Sequence, residues 1–245
     1  MDTQIDEIAD GIYRLSTYLP DLVAPFGLTV NQFLVLAEQP LLLHTGPRSG
    51  FPALAEALAR VVALDRLRWI GFSHIEADEC GAMNLLLAAA PHARAVHGAH
   101  GALLPIDDLG DWSPHGLAGG EVLDLGGRTI MAVPTPHAPH GVETHAFLEI
   151  ATGTMFCADL LEQVGRGPAV TGADLVGPAV ETEALLQGAP PGPAVPRALR
   201  RLASYRPDTL APMHGSAFTG DTGRALHELA STWELRFGGG LPPAG

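Results

Sequence analysis

The sequence predicts an α/β fold of four layers, in which two mixed β-sheets lie face to face and helices pack outside each sheet. Three observations lead there. Strand-like segments recur in both halves of the 245-residue chain with helical patterns between them. Some neighbouring strands are joined by hairpin signals, Gly126-Gly127 and Thr152-Gly153 among them, whereas others are separated by whole helices, as in βαβ steps. The composition, 47% hydrophobic and 17% charged, suits one sizeable core, so residues 1–245 are expected to form a single domain.

The elements follow in order. "GIYRLST" and "TVNQFLVLAEQPLLLHTG" read as strands, and "FPALAEALARVVA" (51–63) repeats its apolar positions at helical spacing. "RLRWIGFS" is a strand, "CGAMNLLLAAA" (80–90) a helix and "ARAVHG" a strand. "EVLDLGGRTIMAVPTP" and "THAFLEIATGTMFCAD" continue as hairpin-forming strands. The stretch 161–195, rich in Gly, Pro and Ala, is expected to form a flap over the site and to set substrate specificity. Its most Pro/Gly-rich part, 187–196, reads as a surface loop. Helices at 195–205 and 222–236 enclose the strand "DTLAPMHG", and a frayed tail closes the chain from about residue 237.

Charge and composition exclude several functions. A net charge of -13 opposes binding to nucleic acid or to an anionic membrane surface, and no apolar run approaches the about 18 residues needed to span a bilayer. The acidic start "MDTQIDEIADGIYRL" lacks the order of a secretory signal, so a cytoplasmic location is expected. Cys80 and Cys157 are too few for a disulfide framework and read as small buried residues. Neither a phosphate-binding glycine loop nor a serine-hydrolase elbow around Ser73 occurs.

The chemistry concentrates in "GFSHIEADECGA" (71–82), where His74, Glu76, Asp78 and Glu79 crowd behind an apolar strand. Such a group desolvates and repels itself unless a cation holds it together. For an isolated Asp-Glu pair the plain alternative is capping of the helix that follows. Three later strand ends carry the same kind of side chain: His137 in "VPTPHAPHG", Asp159 in "MFCADLL" and His214 in "LAPMHGS". Loops at one edge of a rigid sheet are where sites are commonly built.

His74-x-Glu76-x-Asp78-Glu79 followed by His137, Asp159 and His214 resembles the metal-binding pattern of the metallo-β-lactamase superfamily, whose hydrolases usually show H-x-H-x-D-H at the first motif. Glutamate at the second position is similar to the diiron domain of flavodiiron proteins and to oxygen-binding diiron relatives. The resemblance runs from about residue 8 to about residue 235 and implies a metallo-β-lactamase-like sandwich. It implies a first metal on His74, Glu76 and His137, a second on Asp78 and His214, and Asp159 as the bridge. Glu79 replaces the usual histidine and is counted with the ligands. His140 is read as orienting a ligand, and it joins Asp78 and Glu79 as a residue serving the reaction.

Three imidazoles with several carboxylates favour two iron ions, with zinc or manganese as alternatives. The resemblance then implies a protein that binds or reduces dioxygen or another small oxidant, such as nitric oxide or peroxide. Flavodiiron enzymes carry a flavodoxin-like domain after the diiron domain, and this sequence ends at Gly245 without one, so a stand-alone domain fed by an external electron-donor protein is expected. Related diiron enzymes pair head to tail so that a flavin reaches the neighbouring iron; without a flavin domain that reason for pairing disappears, and a homodimer is kept as an expectation on its own. A metal-dependent hydrolase of a thioester, lactone or phosphoester is the alternative function, and a binding or sensing module the third. His44 is a candidate for supporting the site from beneath; His145 reads as structural, and His92, His97, His100, His115 and His227 carry no motif.

Overall fold

The computed structural model describes residues 2–99 and 113–237. The first sheet begins with β1 (Thr3–Ala9), β2 (Ile12–Leu19), β3 (Leu28–Val35) and β4 (Leu41–Leu43), an antiparallel meander. α1 (Phe51–Ala59) then crosses to β5 (Trp69–Gly71), and β6 (Arg94–Gly98) and β7 (His115–Leu117) continue the sheet in parallel. Between β5 and β6 lie α2 (Ala77–Cys80) and α3 (Met83–Ala89).

The second sheet opens with β8 (Val122–Asp124), β9 (Thr129–Pro134), β10 (His145–Glu149) and β11 (Thr154–Phe156). β12 (Val170–Thr171), α4 (Val176–Leu186), α5 (Ala194–Ser204), β13 (Thr209–Ala211), β14 (Ala217–Thr219) and α6 (Thr222–Phe237) complete it. The strand orders are β1-β2-β3-β4-β5-β6-β7 and β12-β14-β13-β11-β10-β9-β8.

Apolar packing follows the layers. Phe33, Leu43, Val96, Ile130, Phe147 and Phe156 fill the space between the sheets. Leu42, Leu58, Ile70, Phe72 and Leu86 bury the outer face of the first sheet under α1 and α3. Leu199, Leu202, Leu210, Leu226, Leu229 and Trp233 do the same for the second sheet under α5 and α6. The predicted sandwich of two mixed sheets flanked by helices is therefore the observed one.

Local differences from the expected elements have visible causes. The helix expected over 80–90 is split, because the Ala82 N–H goes to Gly46 O (3.0 Å) and Thr45 Oγ1 (3.1 Å) instead of continuing the helical ladder. The stretch 161–195 contains α4, missed in the sequence. Its Val176, Ala179 and Val180 join the core beneath the helix layer, so this part of the stretch is packed structure. Asp174 accepts from the Val176 and Gly177 N–H groups at the start of α4, and Asp221 accepts from the Arg224 N–H at the start of α6. Most of the expected tail lies outside the described residues, and α6 extends through Phe237. Among the described residues no helix is long and apolar enough to cross a membrane.

Candidate metal centre

Strand ends from both sheets meet at one edge. β5 ends at Gly71 and delivers Ser73, His74 and Glu76 into the turn before α2. Glu76 occupies the position before the helix in extended conformation and its side chain caps nothing, which leaves the carboxylate free. Asp78 and Glu79 lie in the first turn of α2, and Glu79 is fully buried. Capping is therefore not what holds these carboxylates. The end of β4 straps α2 down, with the Thr45 N–H (2.7 Å) and hydroxyl (3.1 Å) both donating to Glu79 O.

The second sheet supplies the remainder. β9 leads into the turn that carries His140, β11 into Asp159 and β13 into His214. Asp159 stands at the centre: its Oδ2 lies 3.1 Å from His74 Nε2 and 3.7 Å from His140 Nε2, while its Oδ1 lies 3.6 Å from His214 Nε2. His140 Nε2 is 3.0 Å from Glu76 Oε1 and 3.0 Å from His74 Nε2. His214 Nε2 is 3.3 Å from Asp78 Oδ2, and Glu79 Oε1 is 3.8 Å from His74 Nε2.

The structure thus brings together His74, Glu76, Asp78, Glu79, Asp159 and His214, and it corrects one expected member. His137 does not reach the cluster. The turn after β9 folds back on itself, with His137 N–H donating to Gly141 O and Ala138 N–H to Thr135 O; His137, at φ +62°, sits exposed on its outer side. His140, three residues on, is returned to the inside and occupies the place assigned to His137. The only sequence signal for this was the second histidine in "HAPH".

The rings are held from behind. The Thr29 carbonyl accepts from His214 Nδ1 at 2.9 Å, which leaves Nε2 as a lone-pair donor facing the cluster, and the Ser73 hydroxyl holds His74 Nδ1 at 3.0 Å. Buried His44 contacts the sulfur of Met213, next to His214, through Nδ1 at 2.7 Å, and burial pushes its pKa down to about 4, so it supports the site as a neutral ring. The carbonyl of Gly215, a residue at φ +95° that favours glycine, receives Arg14 and Asn31 and fixes the loop behind His214.

The electrostatics call for a cation. Burial opposes charge on His74, but hydrogen bonds to Asp159 and Glu76 outweigh it and raise the ring to about 10; burial likewise opposes charge on His214, yet Asp78 and Asp159 raise it to about 9. Glu76 falls to about 2 through its bonds to His140 and His74. Glu79 goes the other way, pushed well above the carboxylate range by burial and by the Asp159 and Asp78 charges. Both Glu79 oxygens and Asp159 Oδ1 are buried with no hydrogen-bond partner. Buried acceptors left open this way cost several kcal/mol unless something cationic meets them. The donor set fits metal ions: His74, Glu76, His140 and Asp159 place ligand atoms within 4.8 Å of one another, as do Glu76, Asp78 and Glu79. Glu162, unremarked in the sequence, borders the cluster with its carboxyl raised to about 7 by burial and by Asp159.

Comparison with known proteins bears on the family and the fold. The family described as "ODP family beta lactamase" matches residues 28–215. Diflavin flavoprotein A 2 of Thermosynechococcus vestitus is 30% identical over 154 residues, 58% of this chain, and a hydroxyacylglutathione hydrolase of Acidiphilium cryptum is 32% identical over 148 residues, also 58%. The matched regions span 27% and 56% of those relatives. Among solved structures, the Flv1 flavodiiron core of Synechocystis sp. PCC6803 superposes with a TM-score of 0.81 at 23% identity, covering 95% of this chain and 60% of that one. The rubredoxin oxygen:oxidoreductase of Desulfovibrio gigas superposes at 0.79 and 20% identity, covering 93% and 62%. At these identities what is shared is the fold.

Proposed function

Because this chain belongs to the ODP family of beta lactamases, we propose that it is a non-haem diiron protein that binds or reduces dioxygen or a related small oxidant such as nitric oxide or peroxide. The observation that carries this reading is the position of Asp159, whose two oxygens face different histidines, His74 and His140 on one side and His214 on the other. One iron would be held by His74, Glu76, His140 and Asp159, and the other by Asp78, Glu79, His214 and Asp159. A donor set this rich in carboxylate oxygen suits iron or manganese better than zinc.

The metal pair, when bound, supplies electrons and spreads the charge that accumulates on a small oxidant. The chain contributes fixed ligand orientation. Thr29 and Ser73 hold the His214 and His74 rings, and the Thr144 hydroxyl donates to the His140 carbonyl. Buried Met213, next to His214, packs its sulfur on His44. Electrons for turnover would come from an external donor protein. Cytoplasmic location and homodimer formation belong to the same proposal.

Protein expressed in iron-supplemented medium is expected to contain two irons per chain, and its reduced form to change visible absorption on exposure to air. Iron-free, zinc-loaded protein with ester-hydrolysing activity would overturn the reading. The likeness to hydroxyacylglutathione hydrolase favours one alternative, a metal-dependent hydrolase. A glutamate at position 76 in place of an imidazole adds negative charge and weakens the Lewis acidity such chemistry needs. A panel of thioester, lactone and phosphoester substrates separates the two.

A further inference from the structure

A second concave site lies on the other side of the His140 turn. It is a cleft of about 610 Å³ between the end of β9 and the face of α5, a volume within the usual range for small-molecule sites. Its apolar wall is formed by Pro134, Pro136 and Ala198, and its polar rim by His137, Arg197 and Arg201.

The charges on that rim are unbalanced. The chain carries 27 acidic against 14 basic residues, and all of the basic ones are arginine. Arg200, between the two rim arginines in sequence, is neutralised by a two-pronged pair with Glu234 at 2.7 Å. Arg197 and Arg201 have no carboxylate partner among the described residues. Each is steadied by a backbone carbonyl instead: Arg197 Nε donates to Pro193 O (3.2 Å) and Arg201 Nη1 to Pro134 O (2.9 Å). A guanidinium has five N–H groups in a planar fork, so each keeps most of its donors while its position is fixed. Four residues apart on one helix, the two arginines stand on the same face.

We infer that this cleft binds a small organic oxyanion, its carboxylate or phosphate head on Arg197 and Arg201 and its apolar body against Pro134, Pro136 and Ala198. The bound molecule would touch Pro136 and His137, in the turn that also presents His140 to the cluster on its other side. The site is separate from the proposed metal ligands, and its test does not depend on them.

Calorimetric titration of the full-length protein with phenyl phosphate, benzoate and inorganic phosphate tests the inference. The expected result is saturable binding of phenyl phosphate or benzoate at one site per chain, weakened by about tenfold or more in Arg197→Ala and in Arg201→Ala, since hydrogen bonds to charged groups are worth that much. Arg224→Ala, on α6, serves as the control and should bind as the parent does. Binding of phenyl phosphate alone assigns the head as phosphate, and binding of benzoate as well extends it to carboxylates. Because Arg201 ties α5 to the end of β9 through Pro134 O, whereas Arg197 bonds only Pro193 at the start of its own helix, Arg197→Ala with an unchanged melting temperature is the decisive variant. Absence of binding by both aromatic probes, or binding that survives Arg197→Ala, overturns the proposal. Inorganic phosphate binding as tightly as phenyl phosphate overturns the role of the apolar wall.

Discussion

Glu79 is the side chain whose surroundings least explain it: fully buried, next to two other carboxylates, with neither oxygen hydrogen-bonded. As a ligand it would have a reason to be there. Removing a group that only orients a ligand already costs about 10–100-fold in metal affinity, so Glu79→Ala and His140→Ala are each expected to lose at least that much in metal titration. His137→Ala should bind metal like the parent protein, which reverses the assignment the sequence invites. That error is instructive. His74, Glu76, Asp78 and Glu79 were legible because they are packed into one short segment, and Asp159 and His214 because each follows an apolar strand. In "HAPH" two histidines compete, and the choice is made by a turn that sets His137 at φ +62° and points it outward. Nothing in residue spacing encodes that choice.

At the scale of elements, β6 and β10 meet across the sandwich through two buried histidines. His145 Nε2 accepts from the Gly98 N–H at 2.9 Å, and its ring meets His97 edge-on at 4.6 Å between centroids. Burial lowers His97 from 6.5 to about 4, against the raising effect of the Gly98 carbonyl, and burial lowers His145 still more clearly. Both are neutral in the fold, and the unfolded chain would protonate them first. Their contribution is complete above pH 6.5 and is lost as the pH falls towards 4, by about 3 kcal/mol for His97 alone. Urea unfolding at pH 7, 5.5 and 4.5 should show this slope, and His97→Gln should flatten it. α5 offers a test without titration: Leu199, fully buried under the second sheet, is expected to cost about 2–5 kcal/mol on change to alanine, with metal content unaffected. The helices at 195–205 and 222–236 could be read from periodicity, since their apolar stripes cover a sheet. α4 could not, because its Gly177 and Pro178 resemble loop sequence and its burial comes from packing on α6. The break at Ala82 depends on Thr45 and Gly46, far away in the chain.

At the scale of the molecule, the charge of -13 includes the carboxylates gathered at the sheet edge. Metal binding to the native state alone stabilises it by about 2.7 kcal/mol at a concentration one hundred times Kd, which for a chain of this size corresponds to roughly 5–10 °C in Tm. Stripping metal with a chelator should lower the calorimetric Tm by that order, and restoring iron should recover it. The sandwich itself was legible because strand and helix patterns alternate along the whole sequence, while β1, β7, β12 and β14 escaped notice as short or polar segments at or near the margins of the sheets.

His74, Glu76, Asp78 and Glu79 hang from one sheet, and His140, Asp159 and His214 from the other. Each half is an incomplete claw, and capture of ions would require the two to shut on each other. Iron would then act as a clasp between the halves of the sandwich, and any motion that parts the sheets would release it before the chain unravels.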